Sequence, residues 1–258
     1  MKLLVPVSRE KRTLLGVAFF VGFVGLWALI TWSGAVPKHF LASPWQTLLS
    51  GYDLFATQGF SFDVGMTIWR VVGGFLFAAV IAVPLGIAMG TYKPIEAFFE
   101  PFVSFARYLP ASAFIPLLIL WVGIGEAQKL TVIFIGCFFQ LTLMITMIVS
   151  ATRRDLIEAA YTLGCKDTGA IRRVVLPGAA PEIAEALRQV LGLGWTYIIV
   201  AELIGASSGI GHMITDSQAL MATDHIIAGI VVIGLVGLVS DLMFKWVNQR
   251  LFAWSFQR

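Results

Sequence analysis

Charge is scarce in this chain. Asp, Glu, Lys and Arg make up 13% of its 258 residues, against 58% hydrophobic ones, and the mean hydropathy is +0.86. That excludes an ordinary soluble domain, in which about a quarter of the residues are charged. Cysteine is nearly absent: Cys137 and Cys165 cannot build a disulfide framework and lack metal-ligand spacing. The first is expected to be packing and the second a free thiol. His212 stands four residues before Asp216, and Asp224 precedes His225, but no HExxH or completing ligand accompanies them, so no metal site is expected. No G-x-x-x-x-G-K-[ST] loop occurs, so any ATP the protein uses must be bound by another subunit. The string GASSG, Gly205 to Gly209, fits G-x-S-x-G, but that pattern acts at a strand-to-helix elbow and here follows a long apolar run. An enzyme built on it and His212 is set aside. Repeats, low-complexity segments and a separate soluble domain are also lacking.

What the chain has is apolar length. A bilayer core needs about 20 mostly apolar residues per helical span. Six such stretches lie at about 13 to 33, 63 to 90, 98 to 122, 129 to 150, 185 to 206 and 225 to 247. The expected fold is all-α: a polytopic membrane helix bundle of about six spans, forming one domain over residues 1–258. The first stretch follows a basic N-terminus but shows no A-x-A-like cleavage site, so it is expected to be a retained span. Basic residues set the orientation. With the N-terminus inside, the inner segments carry Lys2, Arg9, Lys11, Arg12, Lys93, Arg153, Arg154, Lys166, Arg172, Arg173, Lys245, Arg250 and Arg258, against Lys38 and Lys129 outside. Both termini are then cytoplasmic. This topology accounts for the net charge of +3 and leaves no reason to invoke nucleic acid.

Local patterns refine the picture. Trp45, Leu48, Leu49, Tyr52 and Phe55 recur at helical spacing after Ser43 and Pro44, a cap and a first helical residue, which predicts a short helix at the membrane interface. A small surface helix is expected from about His212 to Leu220. Gly86-x-x-x-Gly90 lets two helix backbones approach. The third stretch starts amphipathic and is broken at Pro110 and Pro116. Such breaks are tolerated at membrane depth where protein or a wet cavity satisfies the freed backbone groups, so a helix facing the bundle interior is expected. Arg70, Arg188 and Glu202 lie within or near spans, where ionisable groups line a cavity or pair with each other. For the two arginines, snorkelling from the span ends is the alternative. For Glu202 the choice lies between lining an outer gate and holding helices together.

One polar insertion remains, at residues 151–183. Leu156, Ala159, Ala160 and Leu163 form a stripe, Gly164 suits a left-handed cap, and Asp167 can cap a second helix with Ile171, Val174 and Val175 on one side. Pro177 is expected to end it. Helices shorter than about 12 residues are marginal in water, so such an elbow must dock on something. Glu158-Ala159-Ala160, three residues, Gly164, nine residues, then Val174-x-Leu176-Pro177 resembles the EAA motif of ABC-importer permeases, E-A-A-x3-G-x9-I-x-L-P, with Val174 for the usual isoleucine. The strings VPLGIAMG, FIPLLILWVGIGEAQK, LPGAAPEI, GLGWTYIIVAELI and GIGHMI resemble the subfamily importing nitrate, taurine and alkanesulfonates, and the first 60 residues match least.

The resemblance implies a non-catalytic permease subunit of type I in a bacterial inner membrane. It would work as two copies with two ATPase subunits that bind ATP and Mg, fed by a periplasmic or lipid-anchored binding protein. Carried over by position, Glu158, Ala159, Ala160 and Gly164 would contact the ATPase and form the corner. Arg172, Arg173, Leu176 and Pro177 would brace the elbow, and Glu202 matches the family's AEL position. The rival is an ion-coupled secondary transporter with Arg70, Glu202 and Arg188 as a relay, for which the chain lacks the internal symmetry of paired broken helices.

Overall fold

The structure is a computed structural model that describes residues 8–37 and 39–255; Lys2, Lys38 and Arg258 of the charge asymmetry lie outside them. Among the described residues the regular elements are helices and no strand occurs. In chain order they are α1 (Arg9–Trp32), α2 (Pro44–Ala56), α3 (Phe60–Thr91), α4 (Lys93–Ala106), a 3-10 turn (Ala111–Phe114), α5 (Ile115–Val122), α6 (Glu126–Ser150), α7 (Arg154–Thr162), α8 (Asp167–Ala170), a π turn (Ile171–Val175), α9 (Leu176–Leu203), α10 (Ile210–Ala219) and α11 (Thr223–Leu251), closed by a 3-10 turn (Ala253–Ser255). Among the described residues five helices are long and apolar enough to cross a membrane, and the remaining expected stretch is a pair bent by 83°, α4 and the segment to Val122, which completes the expected six if the pair is one span.

The chain divides into two compact units, residues 1–60 with 213–231 and residues 61–212 with 232–258. In the first, α1 keeps its apolar side chains exposed over the span window, as a lipid-facing helix does. Near its end, Trp27 Nε1 donates to the Ala42 carbonyl at 3.0 Å. The short helix expected after Ser43 forms. Ser43 and Gln46 make a reciprocal capping box and Pro44 occupies the first turn. Trp45, Leu48, Leu49 and Tyr52 are exposed, while Leu54 is buried. Ser50 donates to Asp224 at 2.5 Å, tying α2 to the start of α11.

The second unit holds the main core, built by α3 (Val71, Phe75, Ala82), α6 (Ile133, Cys137, Leu141) and α9 (Val190, Trp195, Ile198), with Val236 and Phe244 of α11 packed on it. Close approach of α3 to α6 needs glycine. A Cβ on Gly86 would stand 2.8 Å from Ile145 Cβ, and one on Gly90 would stand 2.6 Å from Val149 Cβ and 2.8 Å from the Thr146 carbonyl oxygen. α4 is amphipathic, as expected: it buries Val103 and Ala106 and leaves Phe98, Phe102 and Phe105 exposed, while past the break Ala111, Ile115 and Leu118 turn inward.

The polar insertion differs from expectation at its second arm. α7 and the glycine corner form, but α8 does not end at Pro177. It passes through the π turn into α9, so that 167–203 is one continuous helical run. Proline removes one backbone donor and crowds the carbonyl four residues back. The wider π turn immediately before it absorbs both effects without a break. Asp167 is not the cap either: Lys166 holds that position, and Asp167 instead accepts from the Tyr161 hydroxyl at 3.0 Å. Replacing Gly90 with alanine should lower stability by about 1–3 kcal/mol through overpacking. Gly22→Ala in α1, with nothing within 4 Å, should not. Thermal unfolding in detergent compares the two.

Candidate functional site

The elbow is built from its corner outward. The Gly164 N–H donates to the Tyr161 carbonyl at 2.9 Å and the Cys165 N–H to the Ala160 carbonyl at 3.0 Å. This is the paired closure of a Schellman motif, with Gly164 at φ +82° in the left-handed position. Ala160, 6% exposed, and Ile157 turn inward, Ile157 packing on the main core. Leu156, Glu158, Ala159 and Leu163 stay exposed, Leu163 by 85%. Of the expected contact residues, therefore, Glu158 and Ala159 are accessible and Ala160 is spent on the protein itself. Bracing also falls differently from expectation. Ala170 and Val175 are buried and Leu176 is half-buried, whereas Arg172, Arg173 and Pro177 are exposed, because the stripe that meets the bundle is the apolar one. At the start of α7 the Arg153 guanidinium pairs with Asp155 and holds its carboxyl below the usual range. The phenol of Tyr161 is pushed up by its hydrogen bond to Asp167.

At the other end of α9 lies a buried ion cluster. Arg70 is 0% exposed, and all five of its N–H donors are used. Nε and Nη2 donate to the two oxygens of Glu126 at 2.7 and 2.6 Å. Nη1 donates to Glu202 at 2.8 Å and to the Ser208 carbonyl at 2.7 Å, and Nη2 also reaches the Ser208 hydroxyl at 3.0 Å. Glu202 accepts further from the Thr67 hydroxyl at 3.0 Å and the Gly211 N–H at 2.9 Å. Asp63 accepts from the Gly209 N–H at 2.6 Å. Asp63, Thr67 and Arg70 recur at helical spacing on one stripe of α3. Glycine is required opposite them: at Gly209, with φ +110°, a Cβ would lie 2.4 Å from a Glu202 oxygen. Lys129, 2% exposed, donates to the Gly125 carbonyl at 3.2 Å.

Arg70 and Glu202 are thus brought together, and Arg188 is not with them. Its guanidinium pairs with Glu185, at 3.0 Å through Nε, and with Asp241. The three do not form a relay, and Arg70 does not snorkel. With every donor committed, Arg70 binds no anion without breaking an existing bond, and Glu202 holds helices together. Sequence reasoning missed Glu126, Lys129 and Ser208, because each lies at a span edge or loop where a charge or hydroxyl normally meets water. The available signal was charge balance: an arginine inside a span calls for carboxylates, and Glu126 begins the next long apolar run. The GASSG string finds its use here, as the wrap that satisfies the cluster.

Arg70→Met should cost about 3–5 kcal/mol, because it strands the buried Glu202. Arg188→Met should cost about 1 kcal/mol or less, its partners being roughly two-fifths exposed. Unfolding in detergent should separate the two variants, and equal losses would contradict the difference in burial.

A protein-family model described as "Binding-protein-dependent transport system inner membrane component" matches residues 82–253. The taurine transport system permease protein of Escherichia coli is 31% identical over 261 residues, covering 96% of this chain and 92% of that protein. The bicarbonate transport system permease protein of Synechococcus elongatus is 28% identical over 247 residues, covering 92% and 88%. Among solved structures, the MetNI methionine ABC transporter in an inward-facing conformation matches with a TM-score of 0.61 at 20% identity, over 73% of this chain and 95% of that one. That last likeness concerns the fold alone, a bundle of membrane-spanning helices.

Proposed function

The chain belongs to the family of binding-protein-dependent transport system inner membrane components, and from that premise we propose that it carries a small oxyanion, such as a sulfonate or bicarbonate, into the cytoplasm under the control of ATPase subunits docked at the α7 elbow. The substrate class follows from the relatives, one a taurine and one a bicarbonate permease. One observation carries the docking: while Ile157 and Ala160 pack on the bundle, Leu156, Glu158 and Ala159 of α7 and its C-cap Leu163 are left uncovered. In this proposal two permease copies bind two ATPase subunits, which hold ATP and Mg. The elbow and both termini face the cytoplasm, and a binding protein delivers substrate at the opposite face.

The mechanism follows from continuity. Ile157, Ala160, Ala170 and Val175 fix the elbow to the bundle, and the helical run from Asp167 to Leu203 spans about 55 Å at 1.5 Å per residue. A push on α7 is therefore delivered along α9 to the end that carries Glu202. Closure of the ATPase pair on ATP would tilt the helices between inward-open and outward-open forms, a rigid-body change. The permease supplies path and lever, and the bond chemistry stays with the ATPase.

The test is uptake by the permease–ATPase complex in liposomes, supplied with substrate-loaded binding protein. Glu158→Ala removes a docking group. Gly164→Val forces a β-branched residue into the left-handed region at about 1–2 kcal/mol, although a Cβ there meets nothing within 4 Å. Both variants should insert normally and lose coupled uptake by about tenfold or more, as expected when a contact worth over 1.4 kcal/mol is removed. Normal substrate-stimulated ATPase activity in both would overturn the docking role.

A further inference from the structure

Arg70, Arg107 and Arg188 lie within or beside apolar spans, and they are not equivalent. Arg70 spends all its donors on the buried cluster, and Arg188 has Glu185 and Asp241. Arg107, at the break between α4 and the 3-10 turn, forms no ion pair with any described carboxylate. Its one protein partner is its neighbour Tyr108, whose hydroxyl accepts from Nη2 at 2.8 Å and whose ring lies 4.7 Å from the guanidinium carbon. Arg107 is exposed. A guanidinium facing hydrocarbon is costly, and irregular backbone at membrane depth persists only where protein or water covers it.

Beside it is a small, partly open cavity of about 50 Å³, where Arg107, Gln140 and Tyr197 supply polar groups among apolar side chains and Gly136. At about 30 Å³ per water that is room for about two water molecules, comparable to a compact oxyanion headgroup. Gly136 and Gln140 lie about 15–21 Å along α6 from its Glu126 end, near the middle of the span. The Gln140 amide and the Tyr197 hydroxyl have no partner among the hydrogen bonds of the described residues, although uncommitted polar groups inside a membrane are expensive. The Tyr197 ring, in contrast, is fixed. It packs on the small core of Ala111, Ile115 and Ala201, and it fits against α6 because residue 136 is glycine: a Cβ there would stand 2.4 Å from the ring.

We propose that this cavity is an anion subsite within the membrane, where the Arg107 guanidinium and the donors of Gln140 and Tyr197 receive the headgroup of a small oxyanion in transit. The proposal rests on the oxyanion transport argued above and names the residues that would carry it. The charge is the attractive element. The amide and phenol hydroxyl fix orientation, and the break in the helix is what opens the space.

The experiment measures uptake of taurine and, separately, of bicarbonate by the full transporter in liposomes, for the native protein and for Arg107→Gln, Arg107→Lys, Gln140→Leu and Tyr197→Phe. Thermal unfolding and ATPase stimulation by loaded binding protein are recorded for each. Losing a charge-assisted hydrogen bond should lower uptake at limiting substrate by about ten- to a hundredfold in Arg107→Gln. Arg107→Lys should recover part of it, and Gln140→Leu and Tyr197→Phe should each lose several-fold. Stability and ATPase stimulation should stay near native. If Arg107→Gln instead loses stability, the outcome is read from Gln140→Leu and Tyr197→Phe. Native protein that imports the anions, with every variant importing at native rates, overturns the subsite and leaves oxyanion transport standing. Native protein that imports neither anion overturns both.

Discussion

A guanidinium shut away from water must find every one of its hydrogen-bond partners inside the protein, and much of the second unit is arranged so that Arg70 can. Two carboxylates, a hydroxyl and a backbone carbonyl converge on it from α6, α9 and the Ser208–Gly209 segment. The partners are themselves satisfied, Glu202 by Thr67 and Gly211. In a low-dielectric interior a half-satisfied network is worse than none, so the cluster fixes the relative position of three helix ends at once. Glycines at 209 and 211 are the packing condition for that closure.

The same physics sorts the arginines by role. Where carboxylates are near, as at Arg70 and Arg188, positive charge is used up in holding helices. Where they are missing, as at Arg107, charge remains available to something that arrives from outside the chain. For Arg188 a partner is local, Glu185 three residues before it, with Asp241 53 positions away, whereas for Arg70 the difference is made by residues distant in the chain, Glu202 being 132 positions away.

Much of the architecture was legible for simple reasons. Apolar length marks a span regardless of its neighbours, the Ser43 box and Pro44 specify a helix start locally, and Gly164 needs only its own φ to close α7. Gly86 and Gly90 were readable as a site of close approach, and the structure supplies Ile145 and Val149 as what they approach. Pro177 misled because a proline does not by itself end a helix: a π turn precedes this one, and Pro84 and Pro181 also lie inside helices of this chain. Glu126 and Ser208 were missed because pairing is a tertiary fact: Glu126 stays nearly half exposed, and nothing local to it shows that Arg70, 56 positions away, reaches it.

The uninterrupted run from Asp167 through the π turn to Leu203 also constrains what insertions and deletions the chain can tolerate. In a continuous helix each added or lost residue turns everything beyond it by about 100°. A single-residue change between Gly164 and Pro177 would therefore rotate the corner out of alignment with the span, swinging the exposed face of α7 around the axis. A flexible loop could absorb such a change by lengthening, but this junction cannot. The fixed count of residues between the glycine and the proline is in that sense a gear tooth spacing, set by helical phase rather than by the chemistry of any one side chain.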